Sequence, residues 1–377
     1  MHRSHLTVLT VLSLTLNLFA QSLKEQLKPF VDSNLLAGAV MMIGTTNAVL
    51  TTETIGFADI AGQKPMKPDT TFWIASQTKA MTCAAMMILV DQKKISLDDP
   101  LTNYLPIYQG IWKLHKSTNE WTVFSHPKTP ITIRHLMSNT AGFPFKAPVE
   151  TKALDTFPIR ATATFYAMTP LEFEPGTQYL YSNLGFNICG YIIERVSGMS
   201  YETFMQKNLF LPLRMNDTTF VPTMSSLNRL AKTYALSDDG KKLLDVQTEY
   251  LTFPLDNRVN RYPMPAGGLF STAENVLHFY QMLAAGGVYE NRRILSEESV
   301  RAMTSKQTGE NVKTDYGFGL NIDSNGFGHG GALGTSAKVF RKNNTIAIWM
   351  VQRQGSAAAK HAQEALNVFL KYVEAQP

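Results

Sequence analysis

The chain has 377 residues, of which 44% are hydrophobic and 17% charged, with a formal net charge of +5. That is the composition of a folded globular protein with ample core, which excludes a disordered chain. The positive balance is mild, and no Lys/Arg run or basic amphipathic helix marks nucleic acid or a membrane surface as a partner.

The N-terminus reads as an export signal. His2-Arg3 opens a short positive region, Leu6 to Ala20 is apolar, and Ala20-Gln21-Ser22 offers small residues for cleavage. The expectation is a removed leader over residues 1–22, a periplasmic or secreted protein, and no stable membrane association once the leader is cut. Leu23 to Leu35 then predicts an amphipathic helix. Ala37–Gly44 and Ala48–Ile55 predict two strands joined at Thr45-Thr46-Asn47.

The next stretch carries chemistry. Ser76-Gln77-Thr78-Lys79 opens a helix that is apolar nearly all round as far as Val90, the pattern of a buried helix. Positions i and i+3 share a helix face, so the Lys79 amine reaches the Ser76 hydroxyl. Burial disfavours the ammonium, and a neutral amine beside a hydroxyl is a base beside a nucleophile. A second Ser-x-x-Lys, Ser125 to Lys128, contains a proline and sits among polar residues, so it reads as loop.

From Leu97 to about Phe253 the character changes. Helices are expected at Thr132–Ser138, Leu184–Val196 and Tyr201–Asn208, between long stretches at 109–129 and 147–164 with no clear period. Pro175-Gly176-Thr177 leads to Tyr181-Ser182-Asn183 at the start of the second of these helices. A phenol near a lysine can have its pKa pulled down and shuttle protons, and an amide can hold both the lysine and a substrate carbonyl; an ordinary turn with an asparagine cap is the plainer alternative. After Gly267-Gly268 a helix is expected over 272–285, then strands at Tyr316–Ile322, Gly334–Arg341 and Thr345–Val351, and a last helix over 357–375. His329-Gly330-Gly331-Ala332 is glycine-dense and precedes the paired strands, where backbone can approach an acyl group closely. Hairpins at both ends predict an α/β protein of the α+β type. One antiparallel sheet is formed by 23–95 and 254–377, a mainly helical region over 96–253 is inserted, and the active site lies between them. Cys83 and Cys189 fall in apolar helices, and the eight histidines are scattered without metal-ligand spacing, so neither a cofactor nor a metal is expected.

Ser76-x-x-Lys79, Tyr181-x-Asn183 and His329-Gly330-Gly331, in that order, resemble the three motifs of the serine β-lactamase and penicillin-binding-protein superfamily. The tyrosine in the second motif is similar to the class C branch, which includes family VIII carboxylesterases and DD-peptidases; so is Ile131-Thr-Ile-Arg-His-Leu-Met-Ser-Asn-Thr-Ala-Gly142. The resemblance implies a five-stranded antiparallel sheet flanked by helices. It makes Ser76 the acylated nucleophile, Lys79 its proton acceptor, and Tyr181 a sharer of the base role that protonates the leaving group. It makes Asn183 the orienting amide, and the N–H groups of Ser76 and Ala332 the oxyanion hole. The third motif departs from Lys-Thr-Gly: His329 and Gly330 replace the cation and hydroxyl that bind a β-lactam carboxylate. Small esters are therefore expected over penicillins, with amides, β-lactams and D-alanyl peptides as the alternative substrates. Carboxylate-bearing substrates are expected to gain as His329 protonates towards pH 6. A muropeptide binder without chemistry is the remaining alternative, disfavoured by the retained Ser76, Lys79 and Tyr181.

Overall fold

The structure, a computed structural model, describes residues 22–150 and 153–376. The export signal lies outside the described residues except for Ser22. Among the described residues no helix is long and apolar enough to cross a membrane.

Helix α1 (Leu23–Asp32) starts in a capping box between Ser22 and Glu25, which satisfies two of the free N–H groups of its first turn. Strands β1 (Gly38–Gly44) and β2 (Val49–Asp59) form the expected hairpin, followed by β3 (Lys64–Pro65). The chain later returns as β4 (Asn321–Ile322), β5 (Gly326–Gly330), β6 (Ser336–Phe340) and β7 (Thr345–Met350). The sheet order is β4-β5-β6-β7-β1-β2-β3, antiparallel throughout. It therefore has seven strands where five are implied by the resemblance. The difference is the two-residue strand at each edge, too short to carry a period in the sequence and short as exposed edges usually are. Most of the strand expected at Tyr316–Ile322 is instead a turn: Gly317 N–H bonds the Leu320 carbonyl, and Gly319 takes φ +68° against the backbone of Lys79. The stretch at 109–129 holds a short hairpin (Lys113–Ser117 with Thr122–Ser125), and 147–164 runs into a helix at Ile159–Tyr166.

Every residue of β1 is buried, because both faces of the sheet are covered. Ala39, Met41 and Ile43 point to the layer made by α1 and the final helix α5 (Ser356–Glu374), a core with Trp349 and Phe369 at its centre. Val40 and Met42 point the other way, into a larger core containing α2 (Thr78–Asp91), α3 (Leu184–Ser197) and α4 (Ala273–Ala284). Thr78 to Leu89 of α2 are buried without interruption, as the apolar run predicts. That larger core runs unbroken from the sheet into the helical region, so the two halves pack as one body around α2.

Candidate active site

The strand Phe72–Trp73 pairs with Phe270–Ser271 and delivers the chain to Ala75, which adopts φ +46°. A left-handed non-glycine residue costs about 1–2 kcal/mol and persists only where surroundings hold it. Here the Thr78 hydroxyl donates to the Ala75 carbonyl at 2.6 Å and accepts from Leu269 N–H at 3.2 Å. One tight turn over Ala75–Gln77 then feeds α2. Ser76 thus stands on a sharp corner just before the helix proper, partly exposed while its neighbours are buried.

Lys79 is wholly buried. Its Nζ lies 3.1 Å from Ser76 Oγ, 2.8 Å from Asn183 Oδ1 and 2.8 Å from the Ala266 carbonyl. Burial lowers its pKa to about 7. A neutral amine has two hydrogens and one lone pair. The amide oxygen and the carbonyl can only accept, so they take both hydrogens and leave the lone pair towards Ser76. Asn183 stands at the N-cap position of α3 without capping it; its side chain is spent on the lysine. The plain asparagine-cap reading is therefore set aside.

Ala266 belongs to a segment that sequence reasoning treated only as the approach to α4. Thr82 Oγ1 donates to Pro265 O at 2.7 Å, Trp73 Nε1 to Gly267 O at 2.7 Å, and Ala266 N–H to Asn187 Oδ1 at 2.9 Å. These bonds aim the Ala266 carbonyl at Lys79. The one signal in the sequence is the Pro265-Ala266-Gly267-Gly268 turn, which says nothing of its partners.

Tyr181 lies beside Ser76 and hydrogen-bonds it, with Lys79 Nζ 4.7 Å from the ring centroid and Phe145 stacked at 6.2 Å. Burial raises its phenol well above the ordinary value, and the bond from Ser76 offsets this only in part. The expected depressed phenol is thus corrected: a ring enclosed by Phe145, His329 and the lysine loses the water that would solvate a phenolate. Tyr181 stays protonated, and Lys79 is the one group of the pair able to accept a proton near neutral pH.

His329, at the end of β5, is 5% exposed. Its Nδ1 is 2.7 Å from the Gly330 carbonyl, which can only accept, so Nδ1 carries the hydrogen. Nε2 then accepts from the Tyr316 hydroxyl at 3.1 Å. Burial first, and the neighbouring Lys79 second, push its pKa down to about 4. The expectation of protonation near pH 6 is therefore corrected. Both ring nitrogens are occupied by the protein itself: the Gly330 carbonyl fixes the tautomer, and Tyr316, read in the sequence as part of a strand, takes the remaining nitrogen.

Beyond His329, Gly330 ends β5, and Gly331 N–H bonds Thr335 O at 2.7 Å. A Cβ on Gly331 would stand 2.3 Å from Thr335 Oγ1 and 2.5 Å from the Ile74 carbonyl. Glycine is what lets this turn press against the nucleophile's own lead-in, so that Ala332 and Ser76 line one cleft with Trp73, Asn183, Tyr250 and Gly267. No charged residue lines that cleft among the described residues. Cys83 and Cys189 are both free and buried, and no group of side chains able to hold a metal occurs among the described residues.

A sequence profile of the family described as Beta-lactamase matches residues 23–369. An uncharacterised protein of Mycobacterium tuberculosis is 30% identical over 318 residues, covering 79% of this chain and 77% of that one. Penicillin-binding protein 4* of Bacillus subtilis is 27% identical over 72% of this chain and 56% of its own length. Among solved structures, EstCE1, described as a hydrolase with promiscuous acyltransferase activity, superposes with a TM-score of 0.75 at 20% identity, over 93% of this chain and 98% of that one.

Proposed function

Since the chain belongs to the β-lactamase family, whose members are serine hydrolases, we propose that it hydrolyses small neutral esters through an acyl-enzyme on Ser76. The observation that carries this is the Lys79 amine, buried, with its pKa near 7, and held by two acceptors with its third neighbour the Ser76 hydroxyl. In acylation Ser76 Oγ bonds to the ester carbonyl carbon as its proton passes to Lys79. The carbonyl oxygen takes the negative charge against the Ser76 and Ala332 N–H groups. The bond to the alkoxy oxygen then breaks, and that oxygen takes a proton from Lys79 by way of the Tyr181 hydroxyl. Water repeats the sequence on the acyl-enzyme, giving up its proton to Lys79 and releasing the acid. Asn183 keeps the amine in place throughout.

Ester preference rests on charge. His329 has neither a proton to spare nor a positive charge at working pH, and the cleft lining is uncharged. A β-lactam carboxylate would forgo a charge-assisted hydrogen bond, a loss of about 1.5–3 kcal/mol. Residues 1–22 are taken as an export signal on their apolar run and small-residue junction, placing the enzyme in the periplasm or the medium.

The test is a fluorophosphonate probe together with an aryl acetate, a chromogenic cephalosporin and a D-alanyl amide. Wild type is expected to label once, at Ser76, and to turn over the acetate fastest; Ser76→Ala loses both activities while keeping its melting temperature. Labelling at another serine, or faster cephalosporin turnover, overturns the proposal.

A further inference from the structure

A second cavity, larger than the cleft around Ser76, lies beside it. It measures about 400 Å³ and lies behind Trp73, lined by Leu230, Leu251, Phe253, Phe270 and Leu333. A cavity of this size is in the range that encloses a small ligand. Its charged residues are balanced: Lys232 pairs with Asp59 at 3.3 Å and with Asp245 at 2.7 Å, and Lys64 bonds the Asn228 carbonyl. Inside this rim the walls are mainly aliphatic and aromatic, with Thr248 and Gln352 as buried polar members.

Two features join this cavity to the cleft. Trp73 lines both. At two other points adjacent residues divide between them: Tyr250 and Ala332 face the cleft, Leu251 and Leu333 the cavity. The partition is thin, consisting of the Trp73 indole, held by Gly267, and the Tyr250 ring 6.4 Å from it. Tyr250 is half-buried and sits on a loop, so it is the part of the wall that can yield.

We propose that this cavity is the acyl-chain pocket of the ester substrate, taking an unbranched neutral chain that passes Tyr250. The inference rests on the hydrolase reading above, because the site's polarity gives the direction. The leaving alkoxide must meet Tyr181, which packs against His329, itself packed against Tyr316, on that side of Ser76. Neither Tyr181 nor His329 lines the cleft that ends at Trp73. With the alcohol on the tyrosine side, the acyl group is left to extend towards Trp73 and the apolar cavity beyond. A mainly apolar space whose charged residues are paired with one another or with backbone at its rim, and which lies one ring away from the reacting carbon, suits methylenes.

Isomeric esters provide the test: ethyl octanoate and octyl acetate have the same atoms but carry the long chain on opposite sides of the carbonyl. Wild-type enzyme is expected to prefer ethyl octanoate by roughly tenfold in kcat/KM. Along a series of p-nitrophenyl esters, each added acyl methylene should gain roughly threefold until the cavity fills. Leu230→Trp, which fills the cavity without touching the cleft, should remove roughly tenfold for p-nitrophenyl octanoate and leave the acetate within about twofold; Leu227→Phe serves the same purpose should the first variant not fold. Tyr250→Ala should raise the octanoate-to-acetate ratio. A profile that falls from acetate onwards, a preference for octyl acetate, or a ratio unmoved in a folded filling variant overturns the pocket while leaving Ser76-dependent acetate hydrolysis intact. Absence of that acetate activity overturns the hydrolase reading itself.

Discussion

Lys79 holds two opposing relations to its surroundings. Its burial costs stability whenever the ammonium must be kept, and that same cost makes the amine available as a base near neutral pH. The rate should follow. With a neutral aryl acetate, kcat/KM is expected to rise about tenfold per pH unit below the Lys79 pKa of about 7 and to level above it. His329→Gln should leave that limb in place, because His329 titrates near 4; a limb that moved by a unit or more would make His329 a participant. Stability should carry the same signature. The folded pKa lies below the unfolded value of 10.5, so between about 7 and 10.5 the unfolded chain binds the extra proton and stability rises with pH. Relative to Lys79→Met, wild type should gain about 1 kcal/mol per pH unit across that window, read from urea midpoints. A constant difference would mean that the lysine is solvated. The base was legible in the sequence because it stands on an unbroken apolar helix one turn from its serine. The phenol and the imidazole were not, because Phe145, which packs on Tyr181, and Tyr316, which takes one nitrogen of His329, lie outside the motifs that carry those two residues.

Among the elements, the nucleophile's corner and the glycine turn form one device. The left-handed Ala75 raises Ser76 off the helix, and Gly331 admits the opposing backbone to Ile74. Gly331→Ala would force the two apart by about an ångström, and misplacement on this scale costs about a hundredfold in rate. Turnover of the aryl acetate should fall by that order while circular dichroism is unchanged; near-normal turnover would show that Ala332 does not serve the oxyanion. Long elements with an unbroken apolar face or a strong cap were readable in advance: α1, α2, α3, α4, the first hairpin and β7. What escaped were pieces defined by contacts across the chain. The edge strands β3 and β4 have two residues each, the Tyr316–Leu320 turn exists to seat Gly319 on Lys79, and the Pro265–Gly268 segment is shaped by Thr82, Trp73 and Asn187.

For the whole molecule, the walls of both cavities depend on one ion pair. Arg261 Nε meets Asp155 Oδ2 at 2.7 Å, with both side chains at 2% exposure or less. Asp155 also accepts from Thr252 N–H, and Arg261 donates to the Leu255 carbonyl. The pair thus ties the loop before the Ile159–Tyr166 helix to the loop carrying Tyr250, Leu251 and Phe253. Removing one partner of a buried pair leaves an uncompensated charge, at about 3–5 kcal/mol. Asp155→Ala should lower the unfolding free energy by that amount, and a loss under 1 kcal/mol would show that water reaches the guanidinium. The sheet, finally, sets an order of events in time. Its interior strand β1 lies between β2, its immediate successor, and β7, some 300 residues later. As the chain is made, β1 can pair on one side at once but must wait for the distant β7 to pair on the other, and such long-range pairing is slow. Until β7 emerges the hairpin has one open, apolar edge, so the sheet closes only after the whole helical region between them has been made.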